Sequence, residues 1–282
     1  MLLKRKTSAE TLKLQEKYGV PYLVFPSLEN TGLVRHAFST RLGGCSTGDL
    51  ATMNLSSTRG DDPENVKENF QRFGAAVGFD PKDLVLSLQT HTTNVRLVTE
   101  EDRGKGFTRP RDYKDVDGLI TNVSGLVLAT FYADCVPLYF VDPVHRAIGL
   151  SHSGWRGTVN RMGEVTLQRM KEAFGTRPSD VWTAIGPSIC QDCYEVSEDV
   201  AQEFISAFEG WADNRLLYRK ENGKYQLNLW RANELVLLES GVPKDRIAVT
   251  DICTCCNPQV LFSHRASKGK RGNLGAFLQL LS

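Results

Sequence analysis

The sequence predicts an α+β fold, with mixed β-sheets packed face to face as a sandwich and helices outside them. Three observations predict it. Strand-like apolar runs crowd the middle of the chain, from Leu84 to Ser151. Helical spacing of apolar residues appears in only a few segments. Strands and helices do not alternate strictly, as a doubly wound sheet would require. No repeat, low-complexity tract or linker interrupts residues 1–282, so one domain is expected.

Taken in order, Thr7 to Tyr18 place charged and apolar residues at helical spacing and predict a short N-terminal helix, about 7–18. Tyr22–Phe25 and Val34–Ser39 predict strands. Thr40–Ser57 is rich in Gly, Ser and Thr and predicts a long loop, a common place for sites. Asp61, Asp62 and Pro63 open a helix through about Val77, with Pro in its first turn. Strands follow at Leu84–Leu88, Val95–Thr99, Gly118–Thr121, Leu126–Tyr132, Val136–Val141 and Arg146–Ser151. Val159, Met162, Val165, Leu167 and Met170 form the apolar face of a helix over Gly157–Phe174. Val181–Ile185 predicts a strand, and Ser197–Phe208 a helix with acidic residues in its first turn. Leu227–Ser240 predicts a helix stopped by Gly241 and Pro243. Ile247–Thr250, Val260–Arg265 and Ala276–Leu281 complete the strands.

Composition excludes several classes. With 41 % apolar and 24 % charged residues, the chain is not collagen-like, disordered or a coiled coil. Its 34 basic and 33 acidic residues leave a net charge of +1, with no electrostatic basis for nucleic acid or an anionic membrane as partner. The most apolar stretch, Gly125–Val141, is shorter than the ~20 residues of a membrane span and contains Asp134 and Pro137. Lys4, Arg5 and Lys6 are followed by polar Thr7–Glu10 rather than an apolar run, so the cytoplasm is the expected compartment. Oligomeric state is not readable.

Seven cysteines in a reducing compartment are expected to be thiols, metal ligands or nucleophiles. Cys190 with Cys193 and adjacent Cys255 with Cys256 offer four thiols to a structural zinc. Adjacent cysteines rarely chelate one tetrahedral ion, so inert packing is the preferred reading of these four.

The strongest local feature is His152-Ser153-Gly154-Trp155-Arg156-Gly157, between a predicted strand and helix. Its glycines permit close approach of a ligand, and the helix start favours anions. Ala133-Asp134-Cys135-Val136-Pro137 sets an acid and a thiol between two apolar strands, and Gln89-Thr90-His91 follows a third. His91, Cys135 and His152 each end a predicted strand, so one sheet edge can gather them. Two imidazoles and a thiolate are a ligand set for a catalytic zinc with an open position. Arg41, Arg156 and Arg265 stand at turns or strand ends, and two that converge would bind phosphate. A metal-free pair of Cys135 with His91 or His152, giving a thiol hydrolase, is the alternative chemistry. A non-enzymatic partner protein would not need this set.

Taken in order, Gln89-Thr90-His91, Ala133-Asp134-Cys135, His152 to Gly157, Ile185-Gly186-Pro187-Ser188-Ile189, Tyr194-Glu195-Val196, Cys253-Thr254 and Phe262-Ser263-His264-Arg265 resemble one family. It is the laccase-domain, or polyphenol oxidase, family, now described as purine nucleoside phosphorylases with adenosine deaminase activity. The resemblance runs from about Val34 to the C-terminus. It implies one zinc on His91, Cys135 and His152. It also implies phosphorolysis of adenosine, inosine and 5′-methylthioadenosine, and conversion of adenosine to inosine. Ser153 replaces the Ala of many members. The tail Lys268-Gly269-Lys270-Arg271-Gly272-Asn273 departs from the family's Thr-Gly-Arg, so no role is assigned to Arg271. Copper is ranked below zinc, because a multicopper oxidase needs many imidazoles and this chain has five His and no His-x-His pair.

The implied chemistry assigns roles as expectations. Zinc with Arg41, Arg156 or Arg265 holds phosphate, Gln89 contacts substrate, and Asp134 orients His152 or Cys135 or acts as an acid. Water with its pKa lowered to ~7 by zinc attacks purine C6 in deamination. Phe131, Tyr132 and Trp155 are candidates to stack on the base.

Overall fold

The computed structural model describes residues 3–211 and 213–282. Its strands are β1 (Lys13–Lys17), β2 (Val20–Val24), β3 (Val34–Ser39), β4 (Leu84–Leu86), β5 (Val95–Leu97), β6 (Gly118–Thr121), β7 (Val127–Tyr132) and β8 (Val136–Asp142). There follow β9 (Ala147–Ser153), β10 (Trp182–Ile185), β11 (Glu195–Val196), β12 (Leu217–Arg219), β13 (Tyr225–Leu227), β14 (Ile247–Val249) and β15 (Leu274–Leu280). The helices are α1 (Pro26–Glu29), α2 (Pro63–Val77), α3 (Trp155–Val159), α4 (Met162–Phe174), α5 (Glu198–Ala207), α6 (Leu229–Glu239) and α7 (His264–Ser267).

One six-stranded sheet has the order β1-β2-β3-β15-β7-β4, the other β14-β10-β8-β9-β6-β5. Side-chain alternation along their strands builds four layers. On β15, Leu274, Ala276 and Leu278 meet Tyr139, Ile148 and Leu150 of the second sheet, closing the sandwich core. Phe277, between them in sequence, points the other way and packs with Phe70 and Phe73 of α2. On β8, Leu138 and Phe140 point outward to Met170 of α4 and Leu235 of α6. Both faces of the central strands are covered, which is why they read as continuous apolar runs. The α+β class with packed sheets and outer helices is therefore the observed one.

Three predicted elements are corrected. Residues 7–18 form no helix: 13–17 is strand β1, paired antiparallel with β2 from Lys13↔Val24 to Lys17↔Val20. Tyr18 (φ 53°) and Gly19 (φ 74°) make the two-residue turn, whose positive φ angles suit the twist of a hairpin. Leu12 and Leu14 had the period of a strand, not a helix. Val260–Arg265 is no strand. It is a turn leading into α7, whose Ser263 hydroxyl accepts the Ala266 N–H. The helix over 157–174 is two, α3 and α4, broken where Arg161 takes φ 58°. A third sheet, β11-β13-β12, was not foreseen because its strands are two or three residues long.

The loop between β5 and β6, which walls the cavity described below, hangs on one buried carboxylate. Asp102 accepts from Arg96, Lys105 and the Thr99 N–H. Burial alone would raise its pKa, but these partners hold it down to about 2. Against an unfolded value near 4, that corresponds to about 2.5 kcal/mol, present above pH ~4 and lost as the pH falls toward the folded pKa. Asp102→Asn is expected to lower the unfolding free energy at pH 7 by about this amount and to flatten its fall in acid. Chemical denaturation at stepped pH checks it, and an unchanged acid slope would refute it.

Candidate active site

Three sequence-predicted residues converge at the shared end of the two sheets. His91 lies in the loop after β4, Cys135 in the turn between β7 and β8, and His152 near the end of β9. Their ligand atoms all lie within 4.8 Å of one another. Cys135 Sγ is 4.0 Å from His91 Nε2, and the imidazole centroids are 5.0 Å apart. A Cβ on Gly154 would sit 3.0 Å from the His91 ring and 3.2 Å from Cys135 Sγ, so a side chain there would press on both groups.

The group that organises the site is Asp117, just before β6, which sequence reasoning missed. Its buried carboxylate accepts the backbone N–H groups of Thr90, His91 and Thr92 at 3.0–3.1 Å and the Thr92 hydroxyl. It also bonds His152 Nδ1 at 2.8 Å. One carboxylate thus holds the His91 loop and fixes the His152 ring, leaving Nε2 of His152 for the site. His91 itself takes φ 67°, a left-handed conformation held by those bonds. Tyr132 packs beneath the His152 ring, with centroids 5.5 Å apart and its hydroxyl on the Ser151 carbonyl.

Electrostatics favour a thiolate here. Burial would raise the Cys135 thiol, but the imidazoles of His152 and His91 outweigh it and pull it down to about 6. Burial would likewise lower His152, yet Cys135 and Asp117 raise it to about 9. Asp117 stays below the usual carboxylate range: burial opposes this, and its bond to His152 and the loop N–H groups prevail.

The three residues open on a cavity of about 730 Å³, within the roughly 300–1,000 Å³ of small-molecule sites. Phe70, Phe107, Phe131 and Leu86 make its apolar part, and Arg59, Lys67, Arg111 and Arg271 its basic part. Gln89 lines it too, but its amide is spent on pinning β4 to β7: it accepts from Ser87 Oγ and the Phe131 N–H and donates to the Phe131 carbonyl. Tyr132 also lines the cavity, whereas Trp155 packs against the helical layer.

The predicted phosphate arginines lie elsewhere. Arg41 donates to the carbonyls of Ala51 and Pro258 and stacks on Phe262. Arg265 donates to the carbonyls of Cys193 and Glu195 over Tyr194. Arg156 is exposed and stacks on Trp155. None of the three lines the cavity. Asp134 is not the partner of His152 either. Its carboxylate accepts from Thr254 Oγ1 at 2.6 Å and the Arg265 N–H at 2.7 Å, and it takes φ 88°. The tail that departed from the expected pattern supplies Arg271. Its Nε is buried with no hydrogen-bond partner, and burial together with Arg59 lowers its pKa to about 10.

The donor set fits a zinc ion: two imidazoles and a thiolate, one imidazole braced by a carboxylate, beside an open cavity. It does not supply a multicopper cluster, since the remaining histidines are apart. His36 accepts the Phe25 N–H inside the core, His145 is bonded to Asp142, and His264 is exposed on α7.

Comparisons with known proteins agree on the family. A purine nucleoside phosphorylase named YlmD from Bacillus subtilis (strain 168) is 35% identical over 254 residues, 89% of this chain and 90% of that one. An adenosine deaminase named RL5, from an unknown prokaryotic organism, is 33% identical over 231 residues, 81% of this chain and 87% of that one. The crystal structure of YlmD from Geobacillus stearothermophilus superposes with a TM-score of 0.87 at 33% identity, covering 95% of this chain and 99% of that chain. The family model described as multi-copper polyphenol oxidoreductase laccase matches residues 35–281, and the chain belongs to that laccase-domain family.

Proposed function

We propose that this protein is a purine nucleoside phosphorylase of the cytoplasm, cleaving adenosine, inosine and 5′-methylthioadenosine with phosphate. The observation that carries the reading is a single cavity with an apolar aromatic part, an arginine whose buried Nε has no partner, and the His91–Cys135–His152 cluster. The names of the relatives support it.

A purine is flat and apolar on its faces, and Phe131 with Phe70 and Phe107 offers it aromatic surface. Phosphate is assigned to Arg271 and Arg59, two like charges in one wall, of which Arg271 lacks a partner at Nε. His91, Cys135 and His152 would hold zinc, which when bound supplies Lewis-acid polarisation of an oxygen beside the reacting carbon. Asp117 keeps His152 in one tautomer and the His91 loop in place. The same site is proposed to deaminate adenosine, as the name of RL5 supports. A metal-free thiol hydrolase built on Cys135 with His91 or His152 predicts activity that survives chelation.

The test is incubation of metal-analysed protein with adenosine, with and without phosphate, separating adenine, inosine and ribose 1-phosphate. Adenine that requires phosphate supports the reading, and no product from zinc-loaded protein rejects it. Arg271→Gln removes a charge-assisted contact of about 1.5–3 kcal/mol, so KM for phosphate is expected to rise about 10- to 100-fold. Initial rates at varied phosphate check this, and an unchanged KM would move the phosphate elsewhere.

A further inference from the structure

Four other sulfurs converge outside the cavity. Cys190 and Cys193 bracket the turn after β10, and Cys253 and Cys256 bracket one after β14. Each pair has the spacing Cys-x-x-Cys. The second pair is not Cys255 with Cys256, as adjacency suggested: Cys255 lies outside the cluster. The Ser188–Cys253 bridge aligns the two segments, with the Thr254 N–H on the Ser188 carbonyl.

The Sγ atoms of Cys190, Cys193, Cys253 and Cys256 all lie within 4.8 Å of one another. Cys193 to Cys256 is 3.5 Å and Cys190 to Cys256 is 3.9 Å. Zinc–sulfur bonds of ~2.3 Å in a tetrahedron place sulfurs about 3.8 Å apart. A disulfide would need ~2.05 Å, and all four cysteines are free. The backbone N–H groups of Cys190 and Cys256 both point at Cys253 Sγ, at 3.2 and 3.4 Å. Backbone N–H groups aimed at a cysteine sulfur are the contacts that brace a metal-bound thiolate, and four thiolates this close require a cation between them.

We propose that Cys190, Cys193, Cys253 and Cys256 form a closed tetrathiolate site for a structural zinc ion, distinct from the His91–Cys135–His152 cluster. Four thiolates on two Cys-x-x-Cys turns leave no open position for substrate, as in structural rather than catalytic zinc sites. Its place in the fold gives it work. The Ile189 N–H donates to the Asp134 carbonyl, and Thr254 Oγ1 donates to the Asp134 carboxylate. Both clamped segments therefore grip the residue before Cys135. The N-terminal segment covers the same region: Lys6 pairs with Asp192, and Lys4 exchanges two bonds with Asn257.

The test uses full-length protein purified under reductant, with zinc counted by mass spectrometry in the wild type, Cys135→Ala and the double variant C193S/C256S. About two zinc ions per chain are expected in the wild type, and about one in each variant, one for each site lost. Cobalt loaded into Cys135→Ala keeps the proposal testable if the double variant does not fold. A tetrahedral spectrum with intense thiolate-to-cobalt charge transfer is expected. Chelation of the Cys135→Ala protein is also expected to lower its Tm. Zinc that vanishes entirely with Cys135→Ala, a cobalt spectrum without charge transfer, or disulfides among these four cysteines in the reduced preparation would each overturn it. None of these readouts uses phosphorolysis, so failure of the proposed activity leaves the result interpretable.

Discussion

Cys135→Ala is expected to reduce phosphate-dependent adenine release by about 10³-fold or more and to remove the metal bound beside the cavity. A Lewis acid contributes several kcal/mol of charge stabilisation, and each 1.36 kcal/mol is tenfold in rate. The variant removes the only thiolate of the three-donor set, leaving His91 and His152. The fold should survive, because Cys135 is only partly buried and precedes β8 rather than lying within it. Loss of activity alone does not separate a metal ligand from a thiol nucleophile. Chelated wild-type protein does. If zinc chemistry is right, chelation silences it and added zinc restores it. Chelated protein that keeps its activity, together with an inactive Cys135→Ala, would replace the phosphorylase mechanism with a thiol one.

The parts of this molecule legible in the sequence are those written in one segment. Continuous apolar runs revealed β7, β8 and β9, because each is buried on both faces. His91, Cys135 and His152 stood out because each chemistry-bearing side chain followed or ended such a run. Groups whose role depends on what crosses them were not legible. Asp117 sits between Val116 and Gly118 and looks like any acid before a strand, until the His91 loop folds over it. Arg59 and Arg271 are far apart in the chain and meet only at the cavity wall. Arg41 and Arg265 looked better placed, but backbone carbonyls engage their guanidinium groups. The Cys253-x-x-Cys256 spacing was in plain view and was masked by the adjacent Cys255.

Asp117→Ala is expected to damage both stability and metal binding, more than any other change that touches no proposed ligand atom. It strips the acceptor from the N–H groups of Thr90, His91 and Thr92 and from His152 Nδ1. An unsatisfied buried donor costs about 1–3 kcal/mol, and part of the His91 loop can reach water, so a loss of about 3 kcal/mol is expected. Removing the partner of a metal-binding imidazole typically weakens the metal by about 10- to 100-fold. Asp117→Asn is the milder change. It keeps the volume, but one of its atoms becomes a donor facing donors, since Oδ1 serves His91 and His152 while Oδ2 serves Thr90 and Thr92. Whichever way the amide turns, the loop loses an acceptor, and with the nitrogen at the Oδ1 position the His152 ring loses its acceptor as well. Denaturant unfolding and competition with a chromophoric zinc chelator measure the two quantities independently. An Asn variant with wild-type zinc affinity and turnover would mean that the carboxylate serves folding alone. A variant that folds normally but binds zinc weakly would show that Asp117 holds the ligand geometry in place, a task that neither histidine performs for itself.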